Sequence, residues 1–287
     1  MSDMLDQQRR FFAEEIQAVC NLRTAGLVEA LATVPREAFL PPGPWTVRAE
    51  GDYGEPLRQT PDAEPRRVYH NLSVAIDAAR MLFNGAPSVV AMCIDRLGIA
   101  PGHSVLHVGT GNGYYTALMA EMVGSAGRVD GIEVDPGLAE RSRANLAPWH
   151  HADVRQGNGV DGLAEGAYDA ILVNAGMTHP HEAWLAALKP GGRLAVPLTF
   201  TLPQMGPIGK GAIVLAIRDA AGETFSARVI GMVAIYSAVG IRDEALNAKL
   251  RDAYIRGVWP NFTRLRRDAH DEAPACWLHG GRFCLSA

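Results

Sequence analysis

Three closely spaced glycines mark the part of this sequence where residue types and spacing first suggest chemistry. Gly109, Gly111 and Gly113 follow an apolar run at 105–108 and precede a segment with helical character at 114–122. A strand, a glycine turn and a helix form the start of a βαβ unit, and glycine leaves the backbone open to a ligand. The N–H groups that open a helix favour a negatively charged or polar ligand group. The spacing is G-x-G-x-G, unlike the G-x-G-x-x-G of dinucleotide sites, and an ordinary tight turn remains an alternative.

An acidic residue at the end of the next predicted strand favours the ligand interpretation. The strand is predicted over 128–133, and Glu133 lies 20 residues after Gly113. A carboxylate in that position can accept hydrogen bonds from both hydroxyls of a ribose. A solvated strand end would explain Glu133 alone, but the two features together predict a ligand that contains a nucleoside.

Composition restricts the classes of protein to which the chain can belong. The 287 residues are 48% hydrophobic with a net charge of −4, which suits one large α/β domain with additions or two small domains. Without a long basic run, duplex nucleic acid is not expected as the main partner. The start of the chain is polar and no apolar run reaches the roughly 18 residues of a membrane span, so we expect a cytoplasmic protein. Cys20, Cys93, Cys276 and Cys284 lack C-x-x-C spacing, which predicts a reduced chain without a cysteine-based metal site.

Helices and strands are predicted to alternate through the centre of the chain. Helices are predicted at 4–33 with a break at Gly26, and at 87–97, 114–122, 136–146, 180–188 and 243–257. Strands are predicted at 105–108, 128–133, 152–155, 168–174, 193–197, 212–218 and 225–235, with a turn at 189–192 and a hairpin at 276–285 turning at Gly280–Gly281. Residues 41–68 are predicted to be loop-rich without much regular structure, and 69–83 are ambiguous. The alternation implies a parallel sheet covered on both faces, with an antiparallel edge formed by the last two strands.

Five motifs resemble those of a known enzyme family. They are Val34–Pro41, Val105–Ala117, Gly131–Ser142, Tyr168–Gly176 and Leu188–Pro197. The chain resembles the class I methyltransferases that use S-adenosyl-L-methionine, and over roughly residues 20–237 it is similar to the protein-L-isoaspartate O-methyltransferase family. The resemblance implies a Rossmann-like fold with a mostly parallel seven-stranded sheet and helices on both faces. We expect a helical and loop-rich segment at 1–80, the cofactor-binding domain at 81–240 and a C-terminal extension at 241–287.

The resemblance also implies which residues bind the cofactor. Glu133 would hold the ribose, and Asn158 with Gly159 would lie at the adenine, although Asn158 is alternatively a simple turn residue. The other residues implied in cofactor binding are His107, Gly109, Thr110, Gly111, Asn112, Gly113 and Asn174. His107 replaces an acidic residue of the family. A neutral imidazole nitrogen could accept a hydrogen bond from the cofactor's ammonium, or the histidine could be satisfied by backbone, and both interpretations stay open.

The residues expected at the transferred methyl depart from the family pattern. Residues 83–87 match a family segment in which a serine lies beside the methyl, and in this chain Gly85 occupies the serine position. Asn84, Gly85 and Asn174 are the candidate catalytic residues. His179 and His181 could provide a base or steer a substrate, but an exposed start of a helix is the favoured interpretation, and a metal site is not expected from them.

Three functions follow from this pattern. The first is carboxyl O-methylation of an isoaspartyl or aspartyl side chain in a protein or peptide. The second is methylation of a small molecule on the same scaffold, and the third is a cofactor-binding protein without catalysis. The tail is apolar at Trp277, Leu278, Phe283 and Leu285, after Trp259 and Phe262. We therefore expect it to pack on the sheet edge, on the substrate cleft or in a dimer contact. The oligomeric state stays open.

Overall fold

The computed structural model describes residues 2–49, 56–257 and 260–287. Its helices are α1 (Ser2–Cys20), α2 (Ala25–Thr33), α3 (Pro87–Leu97), α4 (Tyr114–Val123), α5 (Pro136–Asn145), α6 (Glu182–Ala187) and α7 (Glu244–Ile255), with 3-10 helices at Arg36–Phe39, Pro65–Val68 and Pro203–Met205. Within the described residues, no helix is both long and apolar enough to cross a membrane.

The strands of the described residues are numbered in chain order. They are β1 (Thr46–Ala49), β2 (Arg58–Gln59), β3 (Leu72–Asp77), β4 (Leu82–Phe83), β5 (Ser104–Val108), β6 (Arg128–Glu133), β7 (Ala152–Gln156), β8 (Tyr168–Val173), β9 (Leu188–Phe200), β10 (Ile208–Arg218), β11 (Phe225–Tyr236), β12 (Arg264–Arg266), β13 (Cys276–Gly280) and β14 (Phe283–Ser286). The chain divides into two compact units, the first up to Gly102 together with Thr110–Gln156, the second His103–Gly109 together with Gly157–Ala287. The three-segment division at 80 and 240 stays a prediction.

The first unit combines helices with two groups of strands. β6 and β7 form a parallel pair, and β2, β1, β3 and β4 form a four-stranded sheet in that order. Within the described part of 41–68, the regular structure consists of the short strands β1 and β2 and one 3-10 helix, so the segment is loop-rich as predicted; the two strands were missed because their pairing partners are distant in sequence. The helix break predicted at Gly26 was also misplaced. The chain leaves α1 at Asn21, which has a φ of 49°, and Gly26 lies inside α2.

Local signals explain where several helices begin and end. α3 begins with Pro87 in its first turn and ends at Gly98, which adopts a left-handed φ of 63°. α5 is capped by the Asp135 side chain, which accepts a hydrogen bond from Leu138 N at 2.9 Å. Asp243 caps α7 in the same way through Leu246 N at 2.9 Å. These starts agree with the sequence predictions within one residue.

The second unit is built on a mixed sheet. Its described strands follow the order β13-β14-β12-β11-β10-β9-β8-β5. β5, β8 and β9 pair in parallel, and the remaining neighbours pair antiparallel. The α/β class and the antiparallel edge are confirmed, but the sheet has more strands than the seven expected. The turn predicted at 189–192 is part of β9, and the register against β8 shifts there, from Tyr168 opposite Leu188 to Ala170 opposite Arg193.

The C-terminal tail extends the sheet of the second unit. β12 pairs with β11, β14 pairs with β12, and β13 closes the hairpin on β14. Leu278, Phe283 and Leu285 are buried. The packed tail is confirmed, and of the three positions expected for it the sheet edge is the one observed. Trp259 lies outside the described residues.

Candidate functional site

The carboxylate of Glu133 is held in one orientation at the end of β6. Its side chain is 7% exposed. Oε2 accepts a hydrogen bond from Gly111 N at 2.8 Å, and Oε1 accepts one from Asp135 N at 3.1 Å. Burial raises the pKa of this carboxyl above its ordinary value. A carboxylate offers about four acceptor positions, so Glu133 keeps acceptor capacity for a ligand beside the glycine turn.

Two glycines of this turn belong to the first unit, and they serve different purposes. Gly113 has a φ of 93°, and a Cβ there would lie 2.7 Å from Ser142 Oγ, so close packing against α5 requires a glycine. At Gly111, with a φ of 57°, a Cβ would meet only Ile76 Cδ1, at 3.5 Å. The backbone at Gly111 is therefore approachable beside the carboxylate that its own N–H orients.

Thr110 and Asn112, which flank Gly111, both carry polar side chains but differ in their hydrogen bonding. Thr110 is buried, and its Oγ1 has no hydrogen-bond partner within the described part of the chain. Asn112 is also buried, and its Nδ2 donates to the carbonyl oxygen of Phe39. Asn145 Nδ2 donates to Asn112 O at 2.9 Å. The side chain of Asn112 thus anchors the turn, while the buried Thr110 hydroxyl keeps its hydrogen-bonding capacity unused within the described residues.

A buried arginine that the sequence analysis did not single out supports the segment to which Asn112 is anchored. Arg36 is fully buried. Its Nη1 donates to Val68 O at 2.5 Å and to His70 O at 3.1 Å, and its Nη2 donates to Leu72 O at 2.7 Å. These bonds fix the Val34–Pro41 motif, which contains the Phe39 carbonyl that holds the glycine turn. The motif indicated the family, but nothing local in it predicted this positioning role.

Asn84 and Gly85 lie together in the first unit after β4. Asn84 Oδ1 accepts a hydrogen bond from Val74 N at 2.9 Å. Its Nδ2 is buried and has no partner among the described residues. Gly85 has a φ of 78°, and a Cβ would lie 3.3 Å from Val90 Cγ2. The backbone conformation therefore favours glycine at the position that the sequence analysis matched to a serine of the family.

The second unit contains His107, Gly109 and Asn174. His107 is fully buried in β5, and burial lowers its pKa to about 3, so the imidazole is neutral at physiological pH. Asn174 follows β8, and its N–H donates to Val108 O at 2.8 Å. A Cβ on Gly109, whose φ is 81°, would lie 3.2 Å from Asn174 O. The neutral state suits either interpretation of His107, and its role stays a prediction.

Asn158 and Gly159 form a tight turn in the same unit. A Cβ on Gly159 would lie 2.3 Å from Val108 Cγ1, and Gly159 O accepts a hydrogen bond from Trp184 Nε1 at 2.8 Å. Asn158 Oδ1 accepts a long hydrogen bond from Val160 N, at 3.4 Å. This hydrogen bond agrees with the interpretation of Asn158 as a turn residue. It still leaves the side-chain amide able to form a hydrogen bond with an adenine, so the adenine role of Asn158 stays a prediction.

The two histidines at 179 and 181 have local partners. His181 is the N-cap residue of α6, and its Nδ1 accepts a hydrogen bond from Ala183 N at 3.2 Å. The ring of His179 stacks on Phe283, with centroids 5.8 Å apart and an interplanar angle of 21°. Burial lowers the pKa of both imidazoles. The start of a helix is confirmed for His181, but both side chains are partly buried rather than exposed.

Comparison with known proteins identifies relatives across most of the chain. A sequence model of the protein-L-isoaspartate(D-aspartate) O-methyltransferase family matches residues 59–209. The protein-L-isoaspartate O-methyltransferase of Methanopyrus kandleri is 34% identical over 194 residues, which are 66% of this chain and 76% of the relative. That of Methylorubrum populi is 33% identical over 233 residues, which are 80% of this chain and 94% of the relative.

Solved structures of the same kind share the fold. A protein-L-isoaspartate O-methyltransferase aligns with a TM-score of 0.63 and 21% identity, over 88% of this chain and 71% of the other. A Plasmodium falciparum protein assigned to that family, solved in complex with S-adenosyl-L-homocysteine, aligns with a TM-score of 0.58 and 19% identity, over 80% of this chain and 97% of the other. At these identities the likeness is one of fold.

Proposed function

Because the chain belongs to the protein-L-isoaspartate(D-aspartate) O-methyltransferase family, and is therefore an S-adenosyl-L-methionine-dependent methyltransferase, we propose that it esterifies the side-chain carboxylate of an isoaspartyl or aspartyl residue in a protein or peptide. The observation that carries this proposal is the extent of the family match. It covers residues 59–209, a range that contains every candidate site residue from Asn84 to Asn174.

The residues around Glu133 fit the proposed cofactor. The carboxylate is already oriented by Gly111 N and Asp135 N, so it needs little rearrangement to accept hydrogen bonds from a ribose. The unpartnered hydroxyl of Thr110 supplies a further polar contact. Because the space that a Cβ would occupy at Gly111 is empty, a ligand can approach the Gly111 backbone closely. We therefore propose that Glu133 and Thr110 hold the nucleoside end and that the Gly111 backbone lies against the cofactor.

Catalysis requires positioning rather than a strong base. When bound, the cofactor supplies a sulfonium methyl group, which passes in line to a carboxylate oxygen and leaves a methyl ester and a thioether. The acceptor carboxylate is ionised at neutral pH, so this chain needs no residue to remove a proton. Asn84 presents the buried, unpartnered Nδ2 donor, and we assign it the task of orienting that carboxylate. Gly85 and Asn174 stay proposed members of the catalytic site.

One observation favours a small molecule as the second candidate acceptor. Gly85 replaces the serine of the family, and its φ of 78° disfavours any side chain. The absent side chain changes the shape and polarity of the wall proposed to lie beside the methyl. A small-molecule acceptor therefore remains the alternative, whereas family membership disfavours a protein without catalysis.

A matched pair of peptides tests the acceptor. The two peptides share one sequence and differ only in an isoaspartyl or an ordinary aspartyl linkage, and each is incubated with cofactor carrying a labelled methyl group. We expect base-labile label, as a methyl ester requires, in one or both peptides. No label in either peptide, from a chain that binds S-adenosyl-L-homocysteine, would reject the peptide acceptor and favour the small molecule.

The variant Asn84→Asp tests the orienting role. Aspartate keeps an acceptor for Val74 N but replaces the Nδ2 donor by an oxygen that repels a carboxylate. Loss of one hydrogen bond to a charged group, about 1.5–3 kcal/mol, corresponds to a fall in kcat/KM of about 10- to 150-fold. Asn261→Asp, which makes the same change at an exposed position, should leave kcat/KM unchanged. Wild-type kcat/KM in folded Asn84→Asp would remove Asn84 from the mechanism.

A further inference from the structure

Four side chains with metal-binding donor atoms converge in the C-terminal part of the second unit. They are His270, Cys276, His279 and Cys284, and their donor atoms all lie within 4.8 Å of one another. His270 lies in the loop after β12, Cys276 and His279 lie on β13, and Cys284 lies on β14. None of them is among the candidate cofactor or catalytic residues, so methyl transfer does not account for the cluster.

The loop contributes a histidine that is already oriented as a ligand. His270 Nδ1 lies 2.8 Å from the carbonyl oxygen of Asp268, a contact that requires the proton on Nδ1 and leaves Nε2 as the free donor atom. Nε2 lies 3.7 Å from Cys276 Sγ. A backbone carbonyl that holds the second ring nitrogen is the usual support of a metal-bound histidine.

The hairpin contributes the other three donors. His279 and Cys284 are direct partners across β13 and β14, so their side chains project from the same face. His279 Nδ1 is buried and has no hydrogen-bond partner among the described residues. Cys276 Sγ accepts a hydrogen bond from Ala273 N at 3.4 Å, as a thiolate bound to a metal commonly does. Cys284 is fully buried.

We propose that His270, Cys276, His279 and Cys284 bind one Zn²⁺ ion in a closed tetrahedral site. Two cysteines and two histidines are a ligand set that selects zinc. With Zn–S near 2.3 Å and Zn–N near 2.0 Å, the donors of a tetrahedral site lie about 3.3–3.8 Å apart. The cluster needs to contract by about 1–1.5 Å at its longest edge to reach this geometry. Two thiolates neutralise the ion, and four protein ligands leave no position for a substrate.

The site would stabilise the end of the chain. The ion would join the loop at 267–275 to the β13–β14 hairpin, two segments that backbone hydrogen bonds and one lysine also connect. The lysine is Lys249 on α7, whose Nζ contacts Glu272 Oε2 at 2.8 Å and His279 O at 3.0 Å. A structural ion supplies folding free energy because the unfolded chain has no preformed site.

A disulfide between the two cysteines explains the arrangement less well. In the ladder Cys276 pairs with Ser286, while Cys284 pairs with His279, and a disulfide would leave the convergence of two histidines without a cause. The sequence analysis expected no cysteine-based metal site because it compared cysteine spacings only. The spacing that the structure reveals, H-x5-C-x2-H-x4-C, mixes both residue types.

Metal content of the full-length chain tests the proposal. The reduced protein is loaded with ZnCl2, freed of unbound ion by gel filtration and measured by mass spectrometry of its metals. We expect about one zinc per chain, as for other structural sites. The double variant Cys276→Ser/Cys284→Ser should retain less than a tenth of this amount. Cys20→Ser changes a cysteine outside the cluster and should retain all of it.

Cobalt binding and limited proteolysis are both measured on the wild-type chain, so these two tests do not depend on whether a variant folds. Co²⁺ added to the metal-free wild-type chain should produce the absorption bands of a tetrahedral site with thiolate charge transfer, and Zn²⁺ should displace them. Removal of the ion by a chelator should accelerate protease cleavage within 267–287 at least fivefold, with other cleavage sites unaffected. Absence of bound zinc and of tetrahedral cobalt bands in the reduced, folded chain would overturn the proposal, as would full zinc content in the double variant.

Discussion

Replacing Glu133 with glutamine tests whether this carboxylate holds the ribose of the cofactor. Glutamine preserves the shape of the side chain but has one acceptor oxygen instead of two. In the structure both carboxylate oxygens already accept backbone hydrogen bonds, from Gly111 N and Asp135 N. In Glu133→Gln the amide nitrogen must therefore face one of those N–H groups, and that donor loses its partner.

Two free-energy changes follow, and separate measurements distinguish them. An unsatisfied buried donor lowers the free energy of unfolding by about 1–3 kcal/mol. Loss of one charge-assisted hydrogen bond to the ribose weakens cofactor binding by about 1.5–3 kcal/mol, which is about 10- to 150-fold in Kd. Because the glycine turn is also anchored by Asn112 and by packing at Gly113, we expect the variant to remain folded.

Titration calorimetry with S-adenosyl-L-homocysteine measures the binding change, and urea denaturation measures the stability change. Glu140→Gln on the exposed face of α5 makes the same change in net charge and should bind as the wild type does. A folded Glu133→Gln protein whose Kd lies within twofold of that of Glu140→Gln would refute the ribose assignment.

Three further predictions concern His107, the Gly85 position and the tail. The pKa of His107 is about 3 in the folded chain against 6.5 for a free histidine, so the unfolded chain alone takes up a proton below pH 6.5. The stability that depends on a neutral His107 should be complete above pH 6.5 and fall by about 2 kcal/mol between pH 7 and pH 5. Urea denaturation of the wild type and of His107→Leu at both pH values measures this fall. The variant should lose about 2 kcal/mol less unfolding free energy than the wild type between the two pH values. Gly85→Ser should lower the unfolding free energy by about 1–2 kcal/mol. The control Gly102→Ser should cost less, because Gly102 has a similar φ of 82° but open space around it. A Gly85→Ser protein that is more stable than the wild type and methylates peptides faster would contradict the inferred strain. Leu285→Ala should lower the unfolding free energy by about 2–5 kcal/mol in thermal or urea unfolding, because Leu285 is fully buried. Val239→Ala, at a position that is 69% exposed, should leave the unfolding free energy nearly unchanged. Equal effects of the two substitutions would mean that the tail does not pack as described.

The sequence by itself determined the segments whose structure depends on neighbouring residues. The apolar run of β5, the glycine turn and α4 were predicted in order, and α3 and β6 were predicted with their observed bounds. Such elements are specified by local hydrophobic pattern and by turn or capping residues. The position of Glu133 at the end of β6 followed directly, because a strand end needs no tertiary information to be recognised.

Tertiary structure alone decided the features that depend on residues distant in the sequence. The four-stranded sheet around β3 escaped prediction because β1, β2 and β4 have only two to four residues, too few to show a pattern of their own. Arg36 reads as an ordinary charged residue until the fold encloses it with three carbonyl oxygens. Asn112 reads as a ligand contact until the Phe39 carbonyl lies beside it. The Cys–His cluster also became visible only in the fold, because β-pairing brings His279 and Cys284 together and places a loop histidine against them. Local pattern specifies where an element begins and ends, but a side chain's partners are set by how separate elements pack.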